Sequence, residues 1–273
     1  MTGRRRQRPL LGTFVEIATT AEGPGADAAI TKGFEVIARV HDLASFQNPD
    51  SELSRLNGAA GEAMTLHPLL VRVLRLARAM THSSGSLFNC TLGGASVRRG
   101  ILPDHGCRDF RDEGASDDVE LRGHTVRLRN NVLVTLDGIA KGFAVDMAVQ
   151  CLKRHGVNAG WINAGGDMRA FGDVAVPVVL RLLDDRLLPV GDLRNGAIAT
   201  SRVASYDDAR FPGTILSSHG HSPDVGLWSV IAAQAWRADA LTKVAALAPP
   251  ADRAGLLHRL KGRIVPADLG TES

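Results

Sequence analysis

One stretch, residues 136–146, constrains the fold of this chain more than any other and reads L-D-G-I-A-K-G-F-A-V-D. The apolar run before it, residues 132–135, predicts a strand, and Asp137-Gly138 predicts a tight turn where that strand ends. We expect a helix to begin near Ile139. The first amides of a helix have no partner within the helix, so a strand that ends at a helix N-terminus makes a site for an anion.

The first turns of the expected helix carry a cation and a glycine. Lys141 adds a mobile positive charge, and Gly142 lets a large group approach the backbone. An ordinary strand, turn and helix with a surface lysine is the alternative interpretation of this segment.

A second segment, residues 160–167, reads G-W-I-N-A-G-G-D and again predicts a short strand that runs into two glycines and a carboxylate. One helix of crossover length separates the two turns, which predicts a βαβ-like unit with both turns at the same edge. That arrangement is typical of sites for diphosphate ligands. A plain turn is the alternative for the G-G-D sequence alone.

The remaining pattern indicates an α+β fold, a mixed sheet with packed helices, because strands and helices follow one another without a strict alternation. Residues 85–100 are rich in glycine and predict a loop. Apolar residues at helical spacing predict helices over residues 26–46, 67–83 and 237–248. Strands are predicted over residues 10–19, 119–122, 125–128, 176–183, 196–201, 228–233 and 264–265.

Composition excludes several classes of partner. The chain has 273 residues, enough for one large domain or two small ones, and its net charge is only +3. With a single tyrosine and few other aromatic residues it offers no stacking platform, so we expect no nucleic-acid partner. Arginines 4–6 lead into no apolar signal-peptide segment, and no run is long enough to span a membrane. We therefore expect no membrane partner and a cytoplasmic location.

Residues 136–146 and 160–167 resemble the two signature segments of the FAD:protein FMN transferases, the ApbE-type flavin transferases. The common patterns of that family are D-L-G-[GA]-I-A-K-G-[YF]-A-V-D and, after a helix, N-A-G-G-D. Other family stretches are matched in the same order by residues 11–14, 51–57, 85–91, 199–201 and 238–241. The resemblance implies an ApbE-like, T-fold-like architecture for one domain over residues 1–273. Two subdomains that meet at an FAD cleft are the alternative.

The resemblance also implies an activity. A Ser or Thr hydroxyl of a partner protein attacks the FMN-side phosphorus of FAD, AMP leaves, and a phosphoester holds the flavin on the partner. Mg²⁺ is the implied cofactor, and the implied partner is a flavoprotein subunit of a redox system. One alternative is a divergent relative that only binds FAD or hydrolyses it to FMN and AMP. Another is a non-catalytic scaffold.

Site residues are implied only where this sequence matches the family pattern. His221, with His219 as second choice, is the implied base, and Lys141 acts on the phosphates. The implied metal ligands are the Gly138 carbonyl, Asp239 and Thr242. The residues implied to bind FAD are Ser51, Glu52, Leu53, Phe88, Asn89, Thr91, Asp137, Gly138, Lys141, Asn163, Ala164, Gly165, Gly166, Asp167, Thr200 and Ser201. A capped turn explains the residues near Ser51 without any ligand.

Several positions depart from the family pattern. Asn89 and Thr135 stand where the family has aspartate, Arg202 replaces a glycine, and Lys243 replaces a threonine. Asp137 takes a position that is normally glycine, and we favour a turn-forming residue over a relocated ligand.

Lys243 leaves three interpretations open, since an ammonium group cannot ligate a cation. Thr242 could take the ligand role while Lys243 turns toward phosphate. Lys243 could instead supply positive charge where a metal normally lies. The third interpretation is an ordinary ion pair with Asp239 on an exposed helix face.

Overall fold

The computed structural model describes residues 3–107, 109–203, 215–220 and 222–266. The chain divides into two compact units. Unit 1 comprises residues 1–38, 141–214 and 224–273, and unit 2 comprises residues 39–140 and 215–223.

The secondary-structure elements alternate irregularly along the described residues. The helices are α1 (Gly23–Ala44), α2 (Glu52–Gly58), α3 (Pro68–Ser83), α4 (Gly93–Arg98), α5 (Ala140–Arg154), α6 (Ala235–Leu247) and α7 (Pro250–Arg259). The strands are β1 (Arg4–Leu10), β2 (Thr13–Thr19), β3 (Met64–Thr65), β4 (Val119–Arg122), β5 (Thr125–Leu128), β6 (Gly160–Ala164), β7 (Asp167–Phe171), β8 (Val176–Arg181), β9 (Leu187–Leu193), β10 (Ala197–Val203), β11 (Gly226–Ala232) and β12 (Gly262–Val265).

Unit 1 is built on a seven-stranded sheet with the order β1-β2-β6-β7-β10-β11-β12. Each neighbouring pair among these described strands is antiparallel. Helix α6 packs on β10 and β11. Most residues of α5 and α6 are buried, and Phe34, Phe143 and Phe171 are the largest fully buried side chains among the described residues. A β8–β9 ribbon forms a separate two-stranded sheet.

Unit 2 contains a small three-stranded sheet with the order β3-β5-β4, together with α2, α3 and α4. Residues 132–135 are buried here but form no strand. The side chain of Asn57 takes the place of a strand neighbour. Its Nδ2 donates to the Val134 carbonyl at 2.9 Å, and its Oδ1 accepts from the Val134 amide at 2.8 Å.

The structure confirms the predicted α+β class and corrects several elements. The helix at 67–83 and the strands at 119–122 and 125–128 are confirmed. The strand predicted at 132–135 is wrong, and the βαβ unit that depended on it is therefore not formed. The loop predicted at 85–100 contains α4, and β1, β9 and α7 were not predicted. None of the described helices combines the length and the apolar character that a membrane span requires.

Candidate functional site

Two buried aspartates in unit 1 are each paired with a lysine. Lys243 lies one turn after Asp239 on α6, and its Nζ is 2.7 Å from Asp239 Oδ1 and 3.3 Å from the Asp239 carbonyl oxygen. Asp167 is the first residue of β7, and its Oδ2 is 3.5 Å from the Nζ of Lys141 on α5. The structure thus brings together three predicted site residues, Lys141, Asp167 and Asp239. The fourth member of the group is the ammonium group of Lys243. These four residues are called the lysine–aspartate cluster below.

The two carboxyl groups of the cluster differ in their protonation. The pKa of Asp167 is raised to about 7. Burial is the main cause and repulsion from Asp239 the second, while the ammonium groups of Lys141 and Lys243 oppose the rise. Burial also opposes ionisation of Asp239. The ammonium groups of Lys243 and Lys141 outweigh that penalty and hold the pKa of this carboxyl below its ordinary value. One carboxylate is therefore firmly ionised, and the other exchanges its proton near neutral pH.

The raised pKa of Asp167 predicts a loss of stability as the pH rises. Between its ordinary pKa of 3.8 and about 7, the folded protein holds this proton while the unfolded chain releases it. Relative to Asp167→Asn, the wild-type free energy of unfolding should fall by about 2–4 kcal/mol from pH 4 to pH 7. Urea unfolding at a series of pH values measures this difference, with Asp192→Asn at an exposed position as control. Parallel profiles for wild type and Asp167→Asn would contradict the assignment.

A short chain of hydroxyl groups connects β10 to the helix that carries Asp239. The hydroxyl of Thr242 donates to the Asp239 carbonyl oxygen at 2.7 Å. Its Oγ1 also lies 2.7 Å from Ser201 Oγ, so Ser201 donates this second bond. Thr200, the neighbouring predicted residue, shares a 2.8 Å hydrogen bond with Ser229 on β11. Thr242 is fully buried, and its hydroxyl proton is committed to the helix backbone.

The glycine turn between β6 and β7 positions Asp167. Gly165 and Gly166 both have positive φ, +62° and +101°, and the amide of Gly166 donates to Asn163 Oδ1 at 2.9 Å. A Cβ at Gly165 would lie 2.5 Å from Thr13 Oγ1, whereas a Cβ at Gly166 would have no neighbour within 4 Å. Ala164 pairs directly with Asp167 across the hairpin. The turn therefore leaves open space beside its second glycine.

Asp146 and Arg169 support the cluster and were absent from the predicted site residues. The Asp146 carboxylate accepts hydrogen bonds from the amides of Ala235 and Trp236 at 3.1 and 3.0 Å, at the start of α6. It also forms an ion pair with Arg169 on β7. Burial is the main reason that the pKa of Asp146 is raised, although Arg169 and the two amides oppose the rise. The one available signal was the position of Asp146 one turn after Gly142 in the central motif.

Several predicted FAD-binding residues lie in unit 2, where their side chains form hydrogen bonds or pack in the core of the protein. Ser51 caps α2 by accepting from the Ser54 amide, and Glu52 accepts from the His67 amide at 2.7 Å. Leu53 and Phe88 are core side chains with 0% and 3% exposure. The structural interpretation of this loop, a capped turn, therefore accounts for these contacts, and a flavin-binding role stays a prediction.

Asn89 organises a second group of polar contacts in unit 2. Its Oδ1 accepts from the amide and the hydroxyl of Thr91, and its Nδ2 donates to Ser218 Oγ at 2.8 Å and to the Gly114 carbonyl at 3.1 Å. An aspartate could not donate the last two bonds. The amide at this position therefore fits the surroundings that the chain gives it.

Asp137 and Gly138 form the predicted turn ahead of α5. The amide of Asp137 donates to Thr135 Oγ1 at 3.3 Å, and the amide of Ile139 donates to the Leu136 carbonyl at 3.1 Å. Gly138 has a φ of +86°, a region that favours glycine. These contacts support the turn-forming interpretation of Asp137.

The family model described as "ApbE family" matches residues 11–265. This chain belongs to the ApbE family. A protein of Treponema pallidum (strain Nichols) named FAD:protein FMN transferase is 30% identical over 204 residues, which cover 65% of this chain and 55% of that protein. One of Rhodobacter capsulatus with the same name is 28% identical over 179 residues, 60% of this chain and 34% of that protein. The match thus spans about half and one third of the length of these relatives.

Solved ApbE structures share the fold. The apo form of the Pseudomonas stutzeri flavinyl transferase ApbE superimposes with a TM-score of 0.80 at 18% identity, covering 94% of this chain and 88% of that one. The ApbE protein of Thermotoga maritima gives 0.82 at 23% identity, covering 97% and 94%. At these identities the comparison establishes the architecture.

Two departures from the ApbE pattern have a structural setting in unit 1. The guanidinium group of Arg202 donates to the Leu183 carbonyl at 3.2 Å, beside the β8–β9 ribbon. Lys243 pairs with Asp239, as described above. The two histidines predicted as bases cannot be placed, because His221 and the side chain of His219 lie outside the described residues. Their role stays a prediction.

Proposed function

We propose that this protein transfers FMN from FAD to a Ser or Thr hydroxyl of an acceptor protein. The observation that carries the proposal is the lysine–aspartate cluster beside the Gly165-Gly166 turn, in a chain of the ApbE family. Such a cluster offers two ammonium groups at a backbone bend, which suits the paired phosphates of a dinucleotide. A flavoprotein subunit of a redox system as acceptor, and a cytoplasmic location, belong to the same proposal.

Lys141 is well placed to bind a phosphate. It lies in the first turn of α5, where the helix dipole favours an anion, and 43% of its side chain is exposed. The open space at Gly166 lets a phosphate oxygen approach the backbone of the turn. Lys243 is less exposed, at 21%, and its ammonium faces Asp239. We assign Lys141 to ligand binding and Lys243 to charge neutralisation.

The reaction forms one phosphorus–oxygen bond and breaks another. The acceptor hydroxyl oxygen attacks the FMN-side phosphorus, the bond to the bridging oxygen breaks, and AMP leaves with the electron pair of that bond. Negative charge grows on the leaving phosphate, and a fixed ammonium group stabilises it more in the transition state than in the bound substrate. The hydroxyl proton passes to a base, for which His221 and His219 remain the predicted residues.

The donor set at Asp239 does not fit the predicted Mg²⁺ as it stands. Asp239 Oδ1 binds the ammonium of Lys243, and Oδ2 accepts from the amide of Gly142 at 3.3 Å. The Thr242 hydroxyl is engaged by Ser201 and the helix backbone. Across the described residues no group of three or more His, Cys, Asp and Glu side chains is arranged to hold a metal. A metal at Asp239 would have to displace Lys243, so no step is assigned to one.

Removing the ammonium group of Lys141 should reduce FMN transfer by roughly 10²-fold, the usual cost of losing one charge-stabilising donor. The assay incubates the protein with FAD and a flavin-free candidate acceptor and follows the acceptor by intact-mass spectrometry. Lys141→Ala is compared with Lys153→Ala, which removes a lysine from the other end of α5 and should leave transfer unchanged. Equal rates for the two variants would contradict the role of Lys141.

The same assay separates the alternatives. A gain in acceptor mass equal to one FMN, with one AMP released, supports transfer. Release of AMP and free FMN without acceptor labelling indicates a pyrophosphatase. Thermal stabilisation by FAD without turnover indicates a binding protein, and neither effect indicates a scaffold.

A further inference from the structure

Lys243 places a fixed positive charge where the carboxylate of Asp239 points. The ammonium group is 2.7 Å from Asp239 Oδ1 and 3.3 Å from the Asp239 carbonyl oxygen, so it makes two contacts with one residue. The Asp239 side chain is 2% exposed, against 21% for Lys243. The buried carboxylate thus has a cation supplied by its own helix, on a side chain that is still partly exposed.

A second lysine completes the charge of the cluster. Lys141 lies 3.5 Å from Asp167 Oδ2, a buried atom that makes no hydrogen bond within the described part of the chain. Both lysines act on both aspartates, so the four groups form one electrostatic unit. Two ammonium groups carry a total charge of +2, which equals the charge of one magnesium ion. They differ from the ion in donating hydrogen bonds and in being covalently held.

An ammonium group and a divalent cation cannot share Asp239 Oδ1, because the two positive charges would repel at contact distance. The hydroxyl groups of Thr242 on α6 and Ser201 on β10 are bonded to each other, and that of Thr242 also donates to the Asp239 carbonyl oxygen. The geometry around Asp239 is therefore that of a completed ion pair.

We propose that Lys243, acting with Lys141, replaces a divalent cation at this site, so that the diphosphate is neutralised by lysines and the reaction needs no metal. This inference rests on the proposed function. In the transfer step the lysines keep their protons and bind phosphate oxygens, while the acceptor oxygen displaces AMP as described above. Lys243 thereby determines whether the site neutralises the diphosphate with an ammonium group or with a metal ion.

The first test measures FMN transfer by the wild-type protein in excess EDTA and then in Mg²⁺. We expect the two rates to agree within about 3-fold, since neutralisation comes from the chain itself. Transfer that is abolished by EDTA and restored by Mg²⁺ would overturn the inference and leave the proposed function intact.

The second test converts the site. Lys243→Thr removes the ammonium group and supplies an oxygen at the same helical position, so its transfer in EDTA should fall by roughly 10²-fold and recover at least about 10-fold with Mg²⁺. Lys243→Met, which supplies neither charge nor ligand, should fall equally and recover less. Lys243→Arg keeps the charge and should remain independent of Mg²⁺, which keeps the inference testable if the threonine variant folds poorly. A Mg²⁺ response of Lys243→Thr no greater than that of the wild type would contradict the inference.

A third measurement needs no flavin. Electron paramagnetic resonance of Mn²⁺ added to the protein reports metal binding directly, and we expect binding by Lys243→Thr and none by the wild type at the same concentration. This outcome supports the replacement of a metal ion by Lys243, whatever the result of the FMN-transfer assay. If that assay labels no acceptor, only the proposed function fails. Binding of Mn²⁺ by the wild type that is lost in Asp239→Asn would overturn the inference.

Discussion

Replacing Asp146 with alanine should lower the free energy of unfolding by about 3–5 kcal/mol, the usual cost of breaking a buried ion pair by removing one partner. The side chain of Asp146 is 2% exposed and that of Arg169 is 18% exposed, so the guanidinium group of Arg169 would lose its counter-charge in a largely buried setting. The amides of Ala235 and Trp236 would lose their only side-chain acceptor among the described residues. The loss therefore combines an unpaired charge with an uncapped helix.

The effect should reach the candidate site, because α6 begins at Ala235 and carries Asp239 and Lys243 one and two turns later. A shift of the helix start would move both residues, so the proposed FMN transfer should fall by roughly 10–100-fold. Urea unfolding and the acceptor-labelling assay measure the two effects.

A double-mutant cycle apportions the Asp146 effect. Arg169→Ala together with Asp146→Ala should cost less than the sum of the single changes, since the double variant leaves no buried charge unpaired. The stability that the double variant still loses measures the contribution of the hydrogen bonds from Asp146 to the amides at the start of α6. Glu35→Ala, which breaks a half-exposed pair with Lys32, is the control and should cost less than about 0.5 kcal/mol. A loss of stability in Asp146→Ala as small as that in Glu35→Ala would refute the role of Asp146 in positioning α6.

The helices of this fold were predictable because their periodicity reports burial. Ile30, Phe34 and Ile37 recur at helical spacing, and each is at most 1% exposed on α1. The ends of helix α3 were predicted to within one residue, because Pro68 marks its first turn and Gly85 follows shortly after its last. Such signals lie within the helix and its flanking residues, so they can be recognised without knowing the tertiary contacts.

The strand predicted at residues 132–135 fails because an apolar run reports burial and says nothing of the hydrogen-bonding partner. All four residues are buried, as a strand would require. Their backbone groups nevertheless pair with the Asn57 side chain, the Cys90 carbonyl and the Gly93 amide. A partner 77 residues away in the sequence cannot be read from the run itself.

Strand β9 was missed because its sequence contains residues that are typical of turns. Pro189 and Gly191 are two such residues, so no strand was predicted between residues 183 and 196. Their strand belongs to a two-stranded ribbon, with a register irregularity between Val178 and Val179 opposite them. Proline is tolerated on such an edge strand, since no further neighbour needs its amide.

The candidate site was predictable where a residue lies within a sequence motif, as for Lys141, Asp167 and Asp239. The ion pair of Asp239 with Lys243 follows from their spacing of four residues on one helix, which made it one of three open interpretations. Asp146 and Arg169 lie 23 residues apart on different elements. Only the packing of α5, α6 and β7 brings them together, and no local pattern encodes that contact.

Gly142→Ala should lower the free energy of unfolding by about 3 kcal/mol, at the upper end of the usual cost of overpacking. A Cβ at Gly142 would lie 2.3 Å from the Ala235 carbonyl oxygen and 2.7 Å from the Trp236 amide nitrogen. Both are backbone atoms at the start of α6, so no side chain can rotate away. Relief requires α5 and α6 to separate, which also lengthens the 3.3 Å hydrogen bond from the Gly142 amide to Asp239.

Gly255→Ala is the matched control for Gly142→Ala, since it makes the same chemical change inside another helix, α7. Its Cβ would meet only the tip of Arg259 at 3.7 Å, an ordinary contact, so higher helix propensity should raise stability by about 0.5–1 kcal/mol. The same substitution should thus act in opposite directions at the two sites. Urea unfolding measures both changes, and acceptor labelling by Gly142→Ala should fall with the displacement of Asp239. A Gly142→Ala variant as stable as Gly255→Ala would show that α5 does not press on the start of α6, and the close approach of the Gly142 amide to Asp239 would lose its structural cause.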